Sequence, residues 1–210
     1  MRTLLSLTGL AFLISACEKP DPSSRTYSAD SAAAIGRAGR PAFEVKTDTT
    51  VMTFSISSPV FASNESMDPR YTCEGGDISP PLTWASAPPG TKSYALIVED
   101  PDAPDPAKPT RVVSHWVLYN IPATARELVE DASRSGLPAG AVQGSNERKT
   151  QAYMGPCPPI GRHRYFFKLF ALDSALSALK NPTKAELQQA MKGHVLGTAE
   201  LVGTYQKAKK

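Results

Sequence analysis

The sequence has few cysteines, few histidines and little net charge. Its 210 residues include three Cys and three His, and 23 Lys and Arg nearly balance 20 Asp and Glu, for a formal charge of +3. The positive residues are scattered and form no basic stripe with interleaved aromatic side chains, which is the usual footprint of a nucleic-acid-binding protein. We therefore expect no nucleic acid among its partners.

Familiar catalytic and membrane-spanning patterns are also missing. There is no H-E-x-x-H zinc pair, and Ser114 is not part of a G-x-S-x-G elbow. Beyond the N-terminal segment, no apolar run approaches the ~20 residues that cross a bilayer. These absences favour a binding protein without enzyme activity, cofactor or bound metal.

The first 17 residues have the layout of a bacterial export signal. Arg2 precedes an apolar run from Leu4 to Ile14, and small residues follow before Cys17. Such a segment is too short to remain as a transmembrane helix. Its end, "ISAC", is similar to a lipobox, in which the peptidase cuts before a Cys that carries lipid. We expect a lipoprotein signal peptide over residues 1–17, with export and lipid anchoring to the bacterial envelope and a periplasmic domain. An ordinary signal peptide that contains a Cys is the alternative.

A linker and one domain are predicted to follow. Residues 18–45 are rich in Pro, Ser, Ala and Asp and have few large apolar side chains, so they cannot bury enough surface to order themselves. We expect a flexible linker there and a single domain over residues 46–210. The two cysteines of that domain are compatible with one disulfide, as is common in exported proteins, or with two buried free thiols. Both possibilities stay open on this ground.

The domain is predicted to be mainly β. Residues 94–100 and 112–122 are short apolar runs typical of strands covered on both faces. Residues 51–61 alternate apolar with polar side chains, and residues 164–173 place Tyr, Phe and Leu at every second position. Both patterns are typical of strands. Residues 194–205 fit either a strand or a helix, and their two glycines favour a strand.

One clear helix signal lies near the C-terminus. In "NPTKAELQQAM", residues 181–191, Thr183 is a candidate N-cap and Glu186 follows three residues later. This spacing is that of a capping box, in which each side chain accepts a hydrogen bond from the other residue's backbone. The sum of these signals is a β domain with one or two helices.

Polar residues concentrate in two segments that are predicted to be loops beside these strands. In "EDPDAPDPAKPT", Asp100 and Asp102 are two residues apart, so their side chains project to the same side of an extended chain. Pro101 and Pro104 fix φ and hold that extension. His115 follows on the next strand. Turn chemistry and ordinary core packing also explain each of these residues taken alone.

The second segment is "GPCPPIGRHRY", residues 155–165. It is a proline-rich turn that leads into a strand, and His163 and Tyr165 share one face of that strand. Both side chains therefore point toward one space, although a Tyr at the edge of a core is also ordinary packing.

Taken together, these segments resemble the phosphatidylethanolamine-binding protein family. "DPDAP", the "HW" of the next strand and "GPCPPIGRHRY" occur in the family's order. "RYTCEGGDISPPLTW", "PAGAVQGSN" and "HVLGTAELVGTY" resemble its bacterial Raf-kinase-inhibitor-like branch, and the likeness covers about Val51 to Tyr205. The resemblance implies a mainly β fold of two antiparallel sheets with one or two peripheral helices, and a small anion pocket at one edge.

The resemblance also implies which residues bind the ligand. The implied ligand is a phosphate-bearing small molecule or a phospholipid headgroup, held without catalysis. Cys157 stands where eukaryotic members usually carry Pro, and a disulfide between Cys73 and Cys157 is a hypothesis for this branch. The residues that match the family's pocket are Asp100, Asp102, Pro104, His115, Gly155, Pro156, His163 and Tyr165.

The chemistry of this set predicts a dependence on pH. A phosphate needs hydrogen-bond donors, and carboxylates beside it repel it unless one is protonated or paired with a charged imidazole. We therefore expect Asp100, Asp102 and His115 to titrate together and phosphate-type ligands to bind best at mildly acid pH. The matched motifs contain no Lys or Arg fork, which predicts weak and selective capture.

Two other functions stay open. One is a protein-interaction module that inserts the segment from Asp102 to Thr110 into a partner, because some members of the family are protease inhibitors. The other is a hydrolase in which Asp100, Asp102 and His115 bind a metal ion.

Overall fold

The computed structural model describes residues 53–177 and 179–208. The predicted signal peptide with Cys17 and the predicted linker over residues 18–45 lie outside this part of the chain, as do residues 46–52 at the start of the predicted domain. No helix within the described part is long and apolar enough to cross a membrane. The elements are β1 (Ser55–Ser57), β2 (Leu82–Ala85), β3 (Ser93–Ala103), β4 (Arg111–Pro122), β5 (Glu127–Leu128), β6 (Val142–Gln143), β7 (His163–Leu172), α1 (Lys184–Ala190) and β8 (Val195–Tyr205).

The strands form two antiparallel sheets, as predicted. One sheet has three strands in the order β1-β2-β5, and the other has five in the order β6-β4-β3-β7-β8. The five-stranded sheet is built around β3, which pairs with β4 on one side and with β7 on the other. This order brings the end of β3 next to the beginnings of β4 and β7.

The five-stranded sheet is covered on both faces. On one face, Leu96 and Trp116 pack in a cluster that includes Leu82 of the small sheet. On the other face, Ile97 packs in a second cluster that includes Leu187 of α1. Both faces are therefore dry, which explains why β3 and β4 are nearly continuous apolar runs. The prediction that these strands are buried on both sides is confirmed.

The helix and the last strand also agree with prediction. Thr183 caps α1 by accepting a hydrogen bond from the backbone of Glu186, and the Glu186 side chain accepts one from the backbone of Thr183. Residues 195–205 form β8, so the prediction of a strand for the C-terminal run is confirmed. Of residues 53–61, the part of the predicted first strand that the structure describes, only Ser55–Ser57 form a strand, β1.

One segment that was predicted to be a loop is part of a strand. β3 continues through Asp100 and Asp102 to Ala103, although Pro101 supplies no backbone N–H to the ladder. The pairing with β4 is irregular between Asp100 and Ala103. The strand persists there because the two Asp side chains bind groups of β7, as described below, so the exposed loop begins only at Pro104.

Candidate functional site

A cavity of about 250 Å³ lies at the edge of the five-stranded sheet, where β3 ends and where β4 and β7 begin. Since a water molecule occupies ~30 Å³ in the liquid, the cavity has room for a small molecule or group and not for a whole lipid. Three of the predicted ligand residues, Asp102, Pro156 and Tyr165, do not line it. The predicted residues that do line it are Asp100, Pro104, His115, Gly155 and His163.

The buried pair of Asp100 and His163 forms one wall of the cavity. Asp100 Oδ2 lies 2.7 Å from His163 Nδ1, and Asp100 Oδ1 accepts a hydrogen bond from the backbone N–H of Asp102 at 2.8 Å. His163 Nε2 lies 3.0 Å from the carbonyl oxygen of Ile160. Asp100 and His163 are 4% and 0% exposed, so the protein rather than solvent satisfies these groups. Asp100 therefore both lines the cavity and holds the start of β7.

Asp102 turns away from the cavity toward Arg164. Its Oδ2 accepts hydrogen bonds from the backbone N–H and from Nε of Arg164, both at 2.9 Å, and its Oδ1 accepts one from Nη2 at 2.7 Å. These hydrogen bonds hold the pKa of Asp102 below its usual value, because they stabilise the carboxylate. The two carboxylates that were expected to titrate together with His115 therefore have different partners. Asp102 pairs with Arg164, and Asp100 pairs with His163.

His115 is buried at the back of the cavity. Its Nδ1 lies 2.6 Å from the carbonyl oxygen of Met154, and it is 4% exposed. Burial lowers the pKa of the His115 imidazole, because the charged form loses its hydration. His115 is therefore neutral over more of the pH range than an exposed histidine is.

Tyr165 packs against both imidazoles without reaching the cavity. Its ring centroid lies 5.1 Å from that of His115 in an edge-on contact and 6.5 Å from that of His163 in a stacked one. Its hydroxyl is buried and has no hydrogen-bond partner within the described part of the chain. Burial also raises the pKa of the Tyr165 hydroxyl. Tyr165 packs against the two histidines in this structure, and its role in ligand binding stays a prediction.

Two arginines that sequence reasoning did not single out also line the cavity. Arg148 Nη1 lies 3.2 Å from Asp77 Oδ2, and Asp77 Oδ1 accepts a hydrogen bond from the backbone N–H of Gly155 at 3.0 Å. Arg111 Nη1 lies 3.8 Å from Glu147 Oε1. The matched motifs contain no Lys or Arg fork, as stated above, but neighbouring segments contribute two arginine residues to the cavity wall.

The disulfide hypothesis is confirmed. Cys73 and Cys157 are bonded, with their Cα atoms 5.5 Å apart. Cys157 lines the cavity, and the backbone N–H of Cys73 donates to the carbonyl of Pro156 at 3.1 Å. The bond therefore joins the loop that contains Cys73 to the proline-rich turn that forms one side of the cavity.

The two alternative functions concern a metal site and an exposed loop. Within residues 53–177 and 179–208, no three His, Cys, Asp or Glu side chains are grouped closely enough to hold a metal ion. The loop from Pro104 to Thr110 is largely exposed beside the cavity, and its role in protein interaction stays a prediction.

Comparison with known proteins identifies the family. The sequence model of the family described as phosphatidylethanolamine-binding protein matches residues 57–206. The chain belongs to the phosphatidylethanolamine-binding protein family. A UPF0098 protein of Methanothermobacter thermautotrophicus is 46% identical over 154 residues, which are 73% of this chain and 99% of the relative.

Solved structures of the phosphatidylethanolamine-binding protein family share the fold. A homologue from Chlamydia trachomatis, CT736, superposes with a TM-score of 0.68 at 39% identity, over 74% of this chain and 98% of that one. E. coli YbcL, described as a member of the mammalian family, gives a TM-score of 0.67 at 36% identity, over 74% and 99%. The matched part of this chain contains the cavity and all of its lining residues.

Proposed function

We propose that this protein is a non-catalytic binding protein whose cavity takes the phosphoryl group of a small molecule or of a phospholipid headgroup. The observation that supports this most is that two arginines, Arg111 and Arg148, line a small cavity next to a rigid proline-rich turn. Guanidinium groups match the geometry of phosphate oxygens and stay charged at every physiological pH. The limited volume favours a headgroup over a lipid chain.

The other charges of the cavity are compatible with an anionic ligand. Of the two lining carboxylates, Asp100 pairs with His163, and Glu147 lies near Arg111. A carboxylate that has a cationic or hydrogen-bonded partner repels an anion less than a free one does. The described cavity wall contains no Ser or Thr, and its Cys157 is in a disulfide, so no hydroxyl or free thiol is available there as a nucleophile.

A direct test is calorimetric titration of the protein with inorganic phosphate and with phosphoethanolamine. We expect saturable binding, and we expect Arg148→Gln to weaken it about tenfold, since it removes a charged hydrogen-bond donor from the cavity. Lys192→Gln is the matched control, because it removes one positive charge after α1, outside the cavity. Absence of binding to the unaltered protein, or an equal loss in the control, would contradict the proposal.

We further propose that Cys17 anchors the protein to the bacterial envelope through lipid, with the domain outside the cytoplasm. The lipobox-like "ISAC" supports this, and a disulfide is more common in exported than in cytosolic proteins. Metabolic labelling with a fatty-acid analogue should mark the protein, and Cys17→Ser should abolish the label and release the protein from the membrane fraction. If the protein with Cys17 intact takes up no label and is not found in the membrane fraction, the proposal of a lipid anchor is wrong.

A further inference from the structure

Ile160 is the most exposed large apolar side chain in the described part of the chain, with 56% of its surface accessible. It lies in the bend that ends the proline-rich turn, after Pro158 and Pro159, and it does not line the cavity. Single apolar side chains on a protein surface are common and need no explanation. Ile160 differs from them in how its backbone is held and in the charges beside it.

The backbone around Ile160 is fixed from several sides. Two prolines precede it and restrict φ, and the disulfide holds the residue before them. The carbonyl oxygen of Ile160 lies 3.0 Å from Nε2 of the buried His163. Gly161 follows with a φ of +72°, and a Cβ atom there would lie 3.1 Å from Cγ of Pro106. The turn therefore holds an apolar side chain in solvent with little backbone freedom to lose when it docks.

A basic segment lies beside this turn. Residues 158–161 and 206–208 line one surface groove, and no Asp or Glu is among them. The C-terminal "QKAKK", residues 206–210, has three lysines and no acid, and Lys207 lines the groove. Arg162 is exposed next to the turn. An apolar side chain and several cations are thus grouped on one part of the surface, outside the cavity.

We propose that Ile160 and this basic segment form a docking surface for an anionic lipid bilayer. Ile160 would enter the boundary between headgroups and acyl chains, while Lys207 and Arg162 lie against the lipid phosphates. A bilayer has a fluid apolar layer directly beneath its negative charge, so it accepts a single isoleucine without a shaped pocket. The apolar area here is one side chain with its adjacent prolines, which is far less than a stable protein–protein interface buries.

The docking surface borders the cavity, because Pro158 and Pro159 line both. Docking therefore brings this wall of the cavity close to the lipid headgroups. Asp105 lies in the loop that contacts the turn and offsets part of the positive charge, so the attraction should be modest and sensitive to salt. A tether to the same membrane, such as the lipid proposed on Cys17, raises the occupancy of a weak surface by making its docking intramolecular. The inference concerns the outer surface of the turn and does not rest on phosphoryl binding in the cavity.

The experiment introduces an indole at position 160 and measures its quenching by bromine inside a bilayer. The full chain with Ile160→Trp is mixed with vesicles of phosphatidylcholine and phosphatidylglycerol that carry brominated acyl chains. The natural Trp84 and Trp116 are 5% and 0% exposed and lie in the core, so they contribute a constant background. Val129→Trp is the matched control, because Val129 is 46% exposed and lies outside the groove. We expect quenching to be at least about threefold stronger at position 160 than at position 129.

The basic segment is tested by removing charge from either side. Quenching at position 160 should fall at least about threefold in vesicles of phosphatidylcholine alone, and it should also fall when Lys207→Gln is added but not when Lys192→Gln is added. Equal quenching at the two positions, or quenching that persists without anionic lipid, would overturn the proposal. Equal urea midpoints of the two Trp variants would show that both are folded.

The docking surface and the cavity can fail separately. Calorimetric titration of Ile160→Trp with inorganic phosphate should match that of the unaltered protein, since Ile160 does not line the cavity. If position 160 is quenched and phosphate does not bind, the phosphoryl-binding function is wrong and the docking surface stands. If phosphate binds and position 160 is not quenched, only the docking surface is wrong.

Discussion

Removal of the disulfide between Cys73 and Cys157 is expected to lower the free energy of unfolding by about 4 kcal/mol. The two cysteines are 84 residues apart in sequence, so the bond closes a long loop. In the unfolded chain, a long closed loop removes much conformational entropy, and that loss favours the folded state. Urea denaturation of the double variant Cys73→Ser/Cys157→Ser, beside the oxidised unaltered protein, measures the effect.

Reduction supplies the control for this experiment. The unaltered protein in strong reductant should match the double variant, and reductant should leave the double variant unchanged. The phosphate affinity of the double variant should also fall, because Cys157 lines the cavity and the bond fixes its turn to the loop at Cys73. A double variant as stable as the oxidised protein would show that the closed loop does not stabilise this fold.

The sequence correctly predicted those helices and strands whose formation depends on residues close together in the chain. The capping box of Thr183 and Glu186 needs only four consecutive residues, and the structure forms both of its hydrogen bonds. The buried strands β3 and β4 were recognisable because sheets covered on both faces require long apolar runs. β5 and β6 have two residues each, which is too short for any periodicity to be visible in the sequence.

The partners of the polar residues were much harder to predict. The spacing of Asp100 and Asp102 correctly places both on an extended chain, but β7 decides what each carboxylate meets: His163 for the first and Arg164 for the second. Arg148 lies in a loop, and its position at the cavity depends on Asp77, 71 residues away in sequence. Strand register and distant loops set these contacts, and no single motif contains both partners.

The difference between the two histidines matters most for function. The sequence presents His115 and His163 as similar members of one pocket. In the structure, both ring nitrogens of His163 face protein oxygens, whereas for His115 only Nδ1 has a hydrogen-bond partner within the described part of the chain.

Replacement of Asp100 by Ala is expected to lower the free energy of unfolding by about 3 kcal/mol. Asp100 satisfies two buried groups, the imidazole Nδ1 of His163 and the backbone N–H of Asp102. Alanine leaves both without a partner, and each such loss costs ~1–3 kcal/mol. Urea denaturation without added anion measures the effect on the fold separately from any effect on ligand binding.

Asp100→Asn separates the two contributions. Its side-chain oxygen can still accept from the backbone N–H of Asp102, but an NH₂ group replaces the carboxylate oxygen that faces His163. The cost should therefore lie between zero and that of Asp100→Ala. Asp100→Asn and Asp100→Ala should differ in their free energies of unfolding. If His163 is the second partner of Asp100, that difference should change in a His163→Phe background, because the two residues act as a pair. If Asp100→Ala were as stable as the unaltered protein, water from the cavity would have replaced the carboxylate at both His163 and the backbone N–H of Asp102. Asp100 would then not be needed for the fold, and only a role in ligand binding would remain for it.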